Sequence, residues 1–99
     1  KALASSSGWT QSSKSGTVGN DQSNNNKSGF NAVAGGKRYC EGGFETFNNK
    51  TFVCNEGDWW STSSTDGAHY FTITYDCTFV SNGNIDRRSG YSVRCIKDK

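Results

Sequence analysis

Ninety-nine residues with a net charge of +2 make one small domain, and a core of that size is marginal. Ser, Thr, Asn and Gly number 14, 9, 10 and 12, while Leu, Ile, Val and Phe together supply only 15 residues; low charge, 13% aromatic content and four cysteines still exclude a disordered tail. Scarce helix formers exclude a helical bundle, no apolar run approaches the ~20 residues of a membrane span, and mixed charges without a basic stripe exclude an electrostatic nucleic-acid binder.

The chain opens on Lys1 rather than Met, which fits a mature or trimmed product of a secreted precursor. A helix has room over residues 1–5 at most. Residues 5–28 are low in complexity, with Ser5-Ser6-Ser7, Ser12-Ser13 and Asn24-Asn25-Asn26, and read as a solvated surface segment. Trp9, flanked by Gly8 and Thr10, reads as the anchor that packs residues 1–28 onto a β-rich body over 29–99. The whole, 1–99, is expected to be a single domain.

From Gly29 the pattern changes. Phe30, Ala32 and Ala34 alternate with Asn31 and Val33, a weak strand signal, and Gly35-Gly36 and Gly42-Gly43 are breaks. Phe44 to Cys54 predicts a hairpin turning at Asn48-Asn49-Lys50. Trp59-Trp60-Ser61-Thr62 predicts a short strand. The clearest alternation runs from His69 to Val80, with His69, Phe71, Ile73, Tyr75, Cys77 and Phe79 on one face; it predicts one strand, or two joined near Asp76. Ser81-Asn82-Gly83-Asn84 predicts a turn, and Tyr91 to Ile96 a last strand whose odd positions face inward.

Four cysteines in a small polar chain suggest disulfides and an oxidising compartment. They allow three connectivities, among which local logic favours Cys40–Cys54, closing a hairpin, and Cys77–Cys95, joining two inward faces. No C-x₂-C occurs and His69 is the one imidazole, so neither a metal nor any other cofactor is expected.

Catalytic patterns are missing. His69 starts an amphipathic strand on its apolar face, and nothing marks a serine as a nucleophile. Glu41, Glu45, Glu56 and Asp58 sit in turns beside Lys37, Arg38 and Lys50, as solvated charges do. No complete calcium loop is present. Aromatic punctuation on a polar surface remains. Trp60, Tyr70 and the Asp86-Arg87-Arg88 cluster are the candidate ligand-binding residues, for a surface glycan or protein. Asn26-Lys27-Ser28 and Asn49-Lys50-Thr51 match the glycosylation sequon.

Four landmarks occur in order: Ser7-Gly8-Trp9, then Gly29-Phe30-Asn31-Ala32-Val33-Ala34-Gly35-Gly36, then Gly57-Asp58-Trp59-Trp60-Ser61-Thr62-Ser63, then Gly90-Tyr91-Ser92-Val93-Arg94-Cys95-Ile96-Lys97-Asp98. Over nearly the whole chain this resembles the C-terminal half of the Fibrobacter succinogenes major paralogous domain (FISUMP) family. The resemblance implies kinship with C-type-lectin-like and formylglycine-generating-enzyme-like folds. It implies a bacterial, extracellular or cell-surface location, with Gly-Gly and Trp-Trp as framework and residues 62–89 facing a ligand. Three departures stand out. Ala34 replaces the proline of the family's second landmark, the calcium-site motifs of sugar-binding C-type lectins are absent, and the family's N-terminal half is missing. In related folds the last-strand cysteine pairs into that half, so a Cys77–Cys95 bridge also departs from the pattern.

The expectation is a mainly β (at most β-rich α+β), small antiparallel-sheet domain with long loops, C-type-lectin-like and disulfide-stapled. It would act as a non-enzymatic binding or adhesion module without nucleic-acid partners or a direct membrane span. The alternative is a subunit of an extracellular filament or pilus-like appendage, completing its fold with neighbouring subunits by strand addition.

Overall fold

The computed structural model describes residues 1–43, 46–47, 50–51, 55–62, 67–95 and 97, with 46–47 and 50–51 described by backbone alone. Two strands, β1 (Thr46–Phe47) and β2 (Lys50–Thr51), pair antiparallel as the expected hairpin. Its Asn48-Asn49 turn lies outside the described residues. A three-stranded antiparallel sheet follows, β3 (Glu56–Trp60), β4 (Ala68–Thr74) and β5 (Ser81–Ile85), in the order β3-β4-β5. The chain is thus a small β-rich domain with long loops. Residues 1–5 are not helical; among the described residues the one helical stretch is a single 3-10 turn, Gln22–Asn24. No helix among them is long and apolar enough to cross a membrane.

The alternation that begins at His69 stays a strand only to Thr74, and the chain turns at Tyr75 and Asp76. The Ser81–Asn84 segment, expected to turn, is instead β5, paired with β4 from Thr72↔Ser81 to Ala68↔Ile85. Its Asn-Gly pair has no turn to make because Tyr70 faces Gly83 across the ladder. A Cβ on Gly83 would come within 3.2 Å of the Tyr70 hydroxyl, so the ring covers the glycine and supplies the packing that residue lacks.

Opposed residues of an antiparallel pair share one face of the sheet. Gly57, Trp59, Phe71 and Ile73 therefore lie on one side, and Glu56, Asp58, Trp60, Tyr70 and Thr72 on the other. The first side holds the core. Ile73 is buried there with Ala4, Trp9, Val18, Ala32 and Ala34, and Phe30, Trp59 and Tyr75 pack against them. The Trp59 ring lies back over Gly57, where any side chain would overlap it.

Two of the six buried core residues, Trp9 and Val18, come from the segment expected to be a solvated loop. Trp9 is buried, and its indole N–H donates to Ser5 Oγ at 3.0 Å. Gln22 clamps the Trp9 backbone from both ends: Trp9 N–H donates to Oε1 at 3.1 Å, and Nε2 donates to Trp9 O at 2.9 Å. The buried Asn25 amide donates to the carbonyls of Ser5 and Val18, both at 3.0 Å. Composition misled here because the small polar side chains are not solvated. They satisfy buried backbone groups that a loop would otherwise leave stranded. Asp21, Asn26 and Asn31 also take positive φ, a conformation these two residue types tolerate better than most.

The long edge of β3 is covered in two pieces. Gly36 bridges Gly57 in parallel, with Gly36 N–H donating to Glu56 O at 2.9 Å. Ser92 bridges Trp59 in parallel, donating to Asp58 O at 2.9 Å and accepting from Trp60 N–H at 3.0 Å. The two covering segments then pair with each other, Arg38 with Gly90, through reciprocal bonds of 2.7 and 2.8 Å.

No sulfur bridge joins the cysteines expected to pair. Cys77 and Cys95 are free, as is Cys40, and Cys54 of the expected Cys40–Cys54 pair lies outside the described residues. The Cys77–Cys95 pairing assumed that both alternations continue inward. Cys77 instead falls beyond the turn that ends β4, and Cys95 lies past the Ser92 bridge, exposed like Val93.

Candidate functional site

The face of the sheet opposite the core carries the most organised group of side chains. Trp60 and Tyr70 oppose each other across β3 and β4. Tyr91, from the segment that covers β3, completes the group. Its ring stacks on Trp60 with centroids 4.5 Å apart and planes 19° off parallel, and meets Tyr70 edge-on at 5.2 Å and 87°. All three rings are half-buried. Among the described residues, the Trp60 indole N–H and the Tyr70 and Tyr91 hydroxyls make no hydrogen bond to protein.

Beside the rings, the segments that share the β3 edge diverge and leave a cleft of about 280 Å³, lined by residues 35–38 and 90–92. Glycine backbone forms much of its surface, and Lys37, Arg38, Tyr91 and Ser92 supply the side chains. Lys37 is ion-paired with Glu56 at 2.7 Å and lies over the Tyr39 ring at 5.8 Å. Arg38 lays its aliphatic stem against Gly90 and donates from Nη1 to Arg88 O at 3.2 Å. It forms no ion pair among the described residues.

Asp58 lies on this face as well, but beneath it, 1% exposed. Thr72 donates its hydroxyl to Oδ1, and Oδ2 has no hydrogen-bond partner among the described residues. Burial pushes the Asp58 carboxyl up to about 7. The Thr72 bond opposes that rise, the neighbouring Glu56 carboxyl adds to it, and Lys37 works against it. An acid this deeply covered cannot touch a ligand; its position makes it part of the floor. Tyr91 is pushed up to about 12, chiefly by burial, with Lys37 opposing and Asp58 adding.

Of the residues singled out from sequence, the structure brings together Trp60 and Tyr70 and leaves the charged cluster elsewhere. Arg88 pairs with Asp86 at 2.7 Å, and this holds the Asp86 carboxyl down at about 2. Arg87 donates to Gly67 O at 3.4 Å. None of the three lines the cleft. Tyr91, Lys37 and Arg38 escaped sequence reasoning. The one signal for Tyr91 was its place at an odd position of the last alternation, which read as core.

Other candidates stay apart. His69 meets Phe71 edge-on at 5.3 Å, and its Nδ1 is buried without a hydrogen-bond partner among the described residues. Asn26 of the first sequon bonds Asn31, accepting its backbone N–H at 2.7 Å, while Asn49 of the second lies outside the described residues. Compared with protein-family models, curated proteins and solved structures, the chain gives no match in any of the three.

Proposed function

We propose that the chain is a non-enzymatic binding module that holds a saccharide on the Trp60–Tyr91–Tyr70 surface, within a secreted or surface-attached bacterial protein. One observation carries the reading: three packed aromatic rings, half-exposed on the face away from the core, whose polar atoms take no hydrogen bond from the described residues. A sugar ring has an apolar face of C–H groups and an edge of hydroxyls. An indole or phenol offers the matching pair, a flat apolar body and a polar tip. Because the rings brace one another, little side-chain freedom is lost on binding. The cleft beside them is of the size that admits about one sugar residue, just under the ~300 Å³ lower bound of small-molecule pockets. The FISUMP resemblance fits an extracellular setting for such a module.

A glycan array followed by titration monitored through tryptophan fluorescence tests this. Saccharide binding should be lost in Tyr91→Ala and weakened in Tyr70→Ala. Failure to bind any glycan, or unchanged binding in both variants, defeats it.

A second reading, a filament subunit, rests on β5. Its outer edge pairs with no other strand among the described residues, which leaves a row of backbone groups open to a neighbouring copy. Sedimentation of the purified chain separates the readings, since a monomer at all concentrations excludes self-association.

A further inference from the structure

We propose that two copies of the chain pair through β5, antiparallel and centred on Gly83, and that the pairing closes at two. The inference stands apart from the saccharide reading. It fixes the occupant, register and stoichiometry of the open edge. Edge strands that stay single are blunted by charge, proline, a bulge or a covering segment. Among the described residues β5 has none of these. Ser81 to Ile85 carries no charged side chain and no proline. Its five residues pair one-to-one with β4, without a bulge. No backbone group of 81–85 bonds beyond the β4 ladder among the described residues. The opposite edge of the sheet, on β3, is covered by Gly36 and Ser92. A second copy that takes the β5 edge therefore leaves no other edge of this sheet from which a filament could grow.

The sequence of β5 identifies the occupant as the same strand. Ser-Asn-Gly-Asn-Ile reads nearly alike in both directions about Gly83. A two-fold axis through a Gly83–Gly83 pair sets Asn82 of each copy opposite Asn84 of the other. These two residues share the core side of the sheet, with Phe71 and His69 as their β4 partners. Both are exposed, and neither side chain makes a hydrogen bond among the described residues. Each amide can donate to its counterpart and accept from it. On the other side the Tyr70 hydroxyl lies over Gly83, so the centre of the pairing meets no side chain from β5. Exposed Phe79 and Val80 lead into β5, at the end of the ladder that adjoins Ile85 of the second copy. With a net charge of only +2, the copies repel one another little. Opposed residues keep their faces, so both Trp60–Tyr91–Tyr70 surfaces come to one side of a continuous sheet. Their Tyr70 residues are then three strand spacings, about 14 Å, apart.

Sedimentation equilibrium of the full chain over a concentration series, with amide hydrogen exchange at both ends of that series, tests the pairing. Wild type should pass from monomer to dimer and no further, and amides within 81–85 should gain protection as the dimer forms. Asn82→Lys combined with Asn84→Lys sets like charges opposite each other twice and should weaken pairing about tenfold. Asn82→Lys combined with Asn84→Glu sets opposite charges at the same positions and should keep the dimer. Both positions are exposed, so each double variant keeps the monomer fold. A monomer at every concentration, equal dimerisation of the two double variants, or protection gained away from β5 overturns the inference. Growth past the dimer also overturns it and leaves the filament reading standing. Glycan binding by the first double variant, measured as a monomer, decides the saccharide reading separately.

Discussion

Thr72 of β4 donates its hydroxyl to Oδ1 of Asp58 on β3 at 2.6 Å, and the other oxygen of that carboxyl is buried with no partner among the described residues. Burial disfavours the charged carboxylate, since a buried charge with one neutral hydrogen bond is poorly compensated. An acid held up at about 7 in the fold and titrating near 4 when unfolded makes stability fall as pH rises. Below about pH 4 both states are protonated and nothing is lost. Between about 4 and 7 the unfolded chain releases its proton first and is favoured. Above 7 the penalty is constant. Urea unfolding of the wild type should therefore show a declining stability across that window, by a few kcal/mol at about 1.4 kcal/mol per tenfold change in proton affinity. Asp58→Asn should flatten the decline, and parallel pH profiles for the two proteins would contradict it.

Tyr91 makes a separate prediction at the alkaline end. With its phenol pushed up to about 12, the folded chain resists its ionisation, and stability should fall as pH climbs from about 10 towards 12. In an ultraviolet titration one of the four tyrosines should ionise last, and Tyr91→Phe should delete that final step. Loss of an earlier step instead would place Tyr91 in open solvent.

Gly19 has no room for a side chain. An added Cβ would overlap the Thr10 carbonyl and lie 3.0 Å from Tyr75 O and 3.1 Å from Ser12 N, all backbone atoms that cannot swing aside. Gly43 meets nothing within 4 Å. Gly19→Ala should cost on the order of 2–3 kcal/mol, against no more than about 0.5 kcal/mol for Gly43→Ala, read from thermal or urea unfolding. Similar losses for both would mean that residues 10–19 are not packed against the turn after β4.

The thiols offer a fourth test. Cys40 is raised by its bond to Glu41, and Cys77 is raised mainly by burial and also by Asp76, so each holds less thiolate near neutral pH. Cys95 is exposed. Brief alkylation of the native chain followed by peptide mass mapping should label Cys95 ahead of Cys40 and Cys77. A Cys77–Cys95 disulfide peptide would refute this arrangement outright.

These residues show why the sequence was legible in part. The β class, the hairpin over β1 and β2 and the strand β4 follow from β-branched and aromatic alternation, a local property, whereas β3 was legible only at Trp59-Trp60, because Glu56-Gly57-Asp58 has the composition of a turn and is held extended by its pairing with β4. The role of residues 5–28 was hidden because Asn25 and Gln22 are polar yet bury their amides against backbone, and no hydropathy pattern records that. β5 was hidden because the Asn82-Gly83 pair has strong turn chemistry, overridden by the facing Tyr70 ring. Trp60 and Tyr70 were visible as aromatics; their meeting with Tyr91 depends on tertiary bridging at Ser92 that local pattern cannot encode.

The split cover over β3 has a consequence for how the chain assembles. Gly36 is synthesised more than fifty residues before Ser92, yet both must bind the same strand and then each other's segment. Until residues 90–92 have emerged from the ribosome, part of β3 keeps an open ladder, the sort of edge that recruits stray partners. Contacts this distant in sequence make for slow closure, so the nascent chain should gain protease resistance in one step, when residues 90–92 dock.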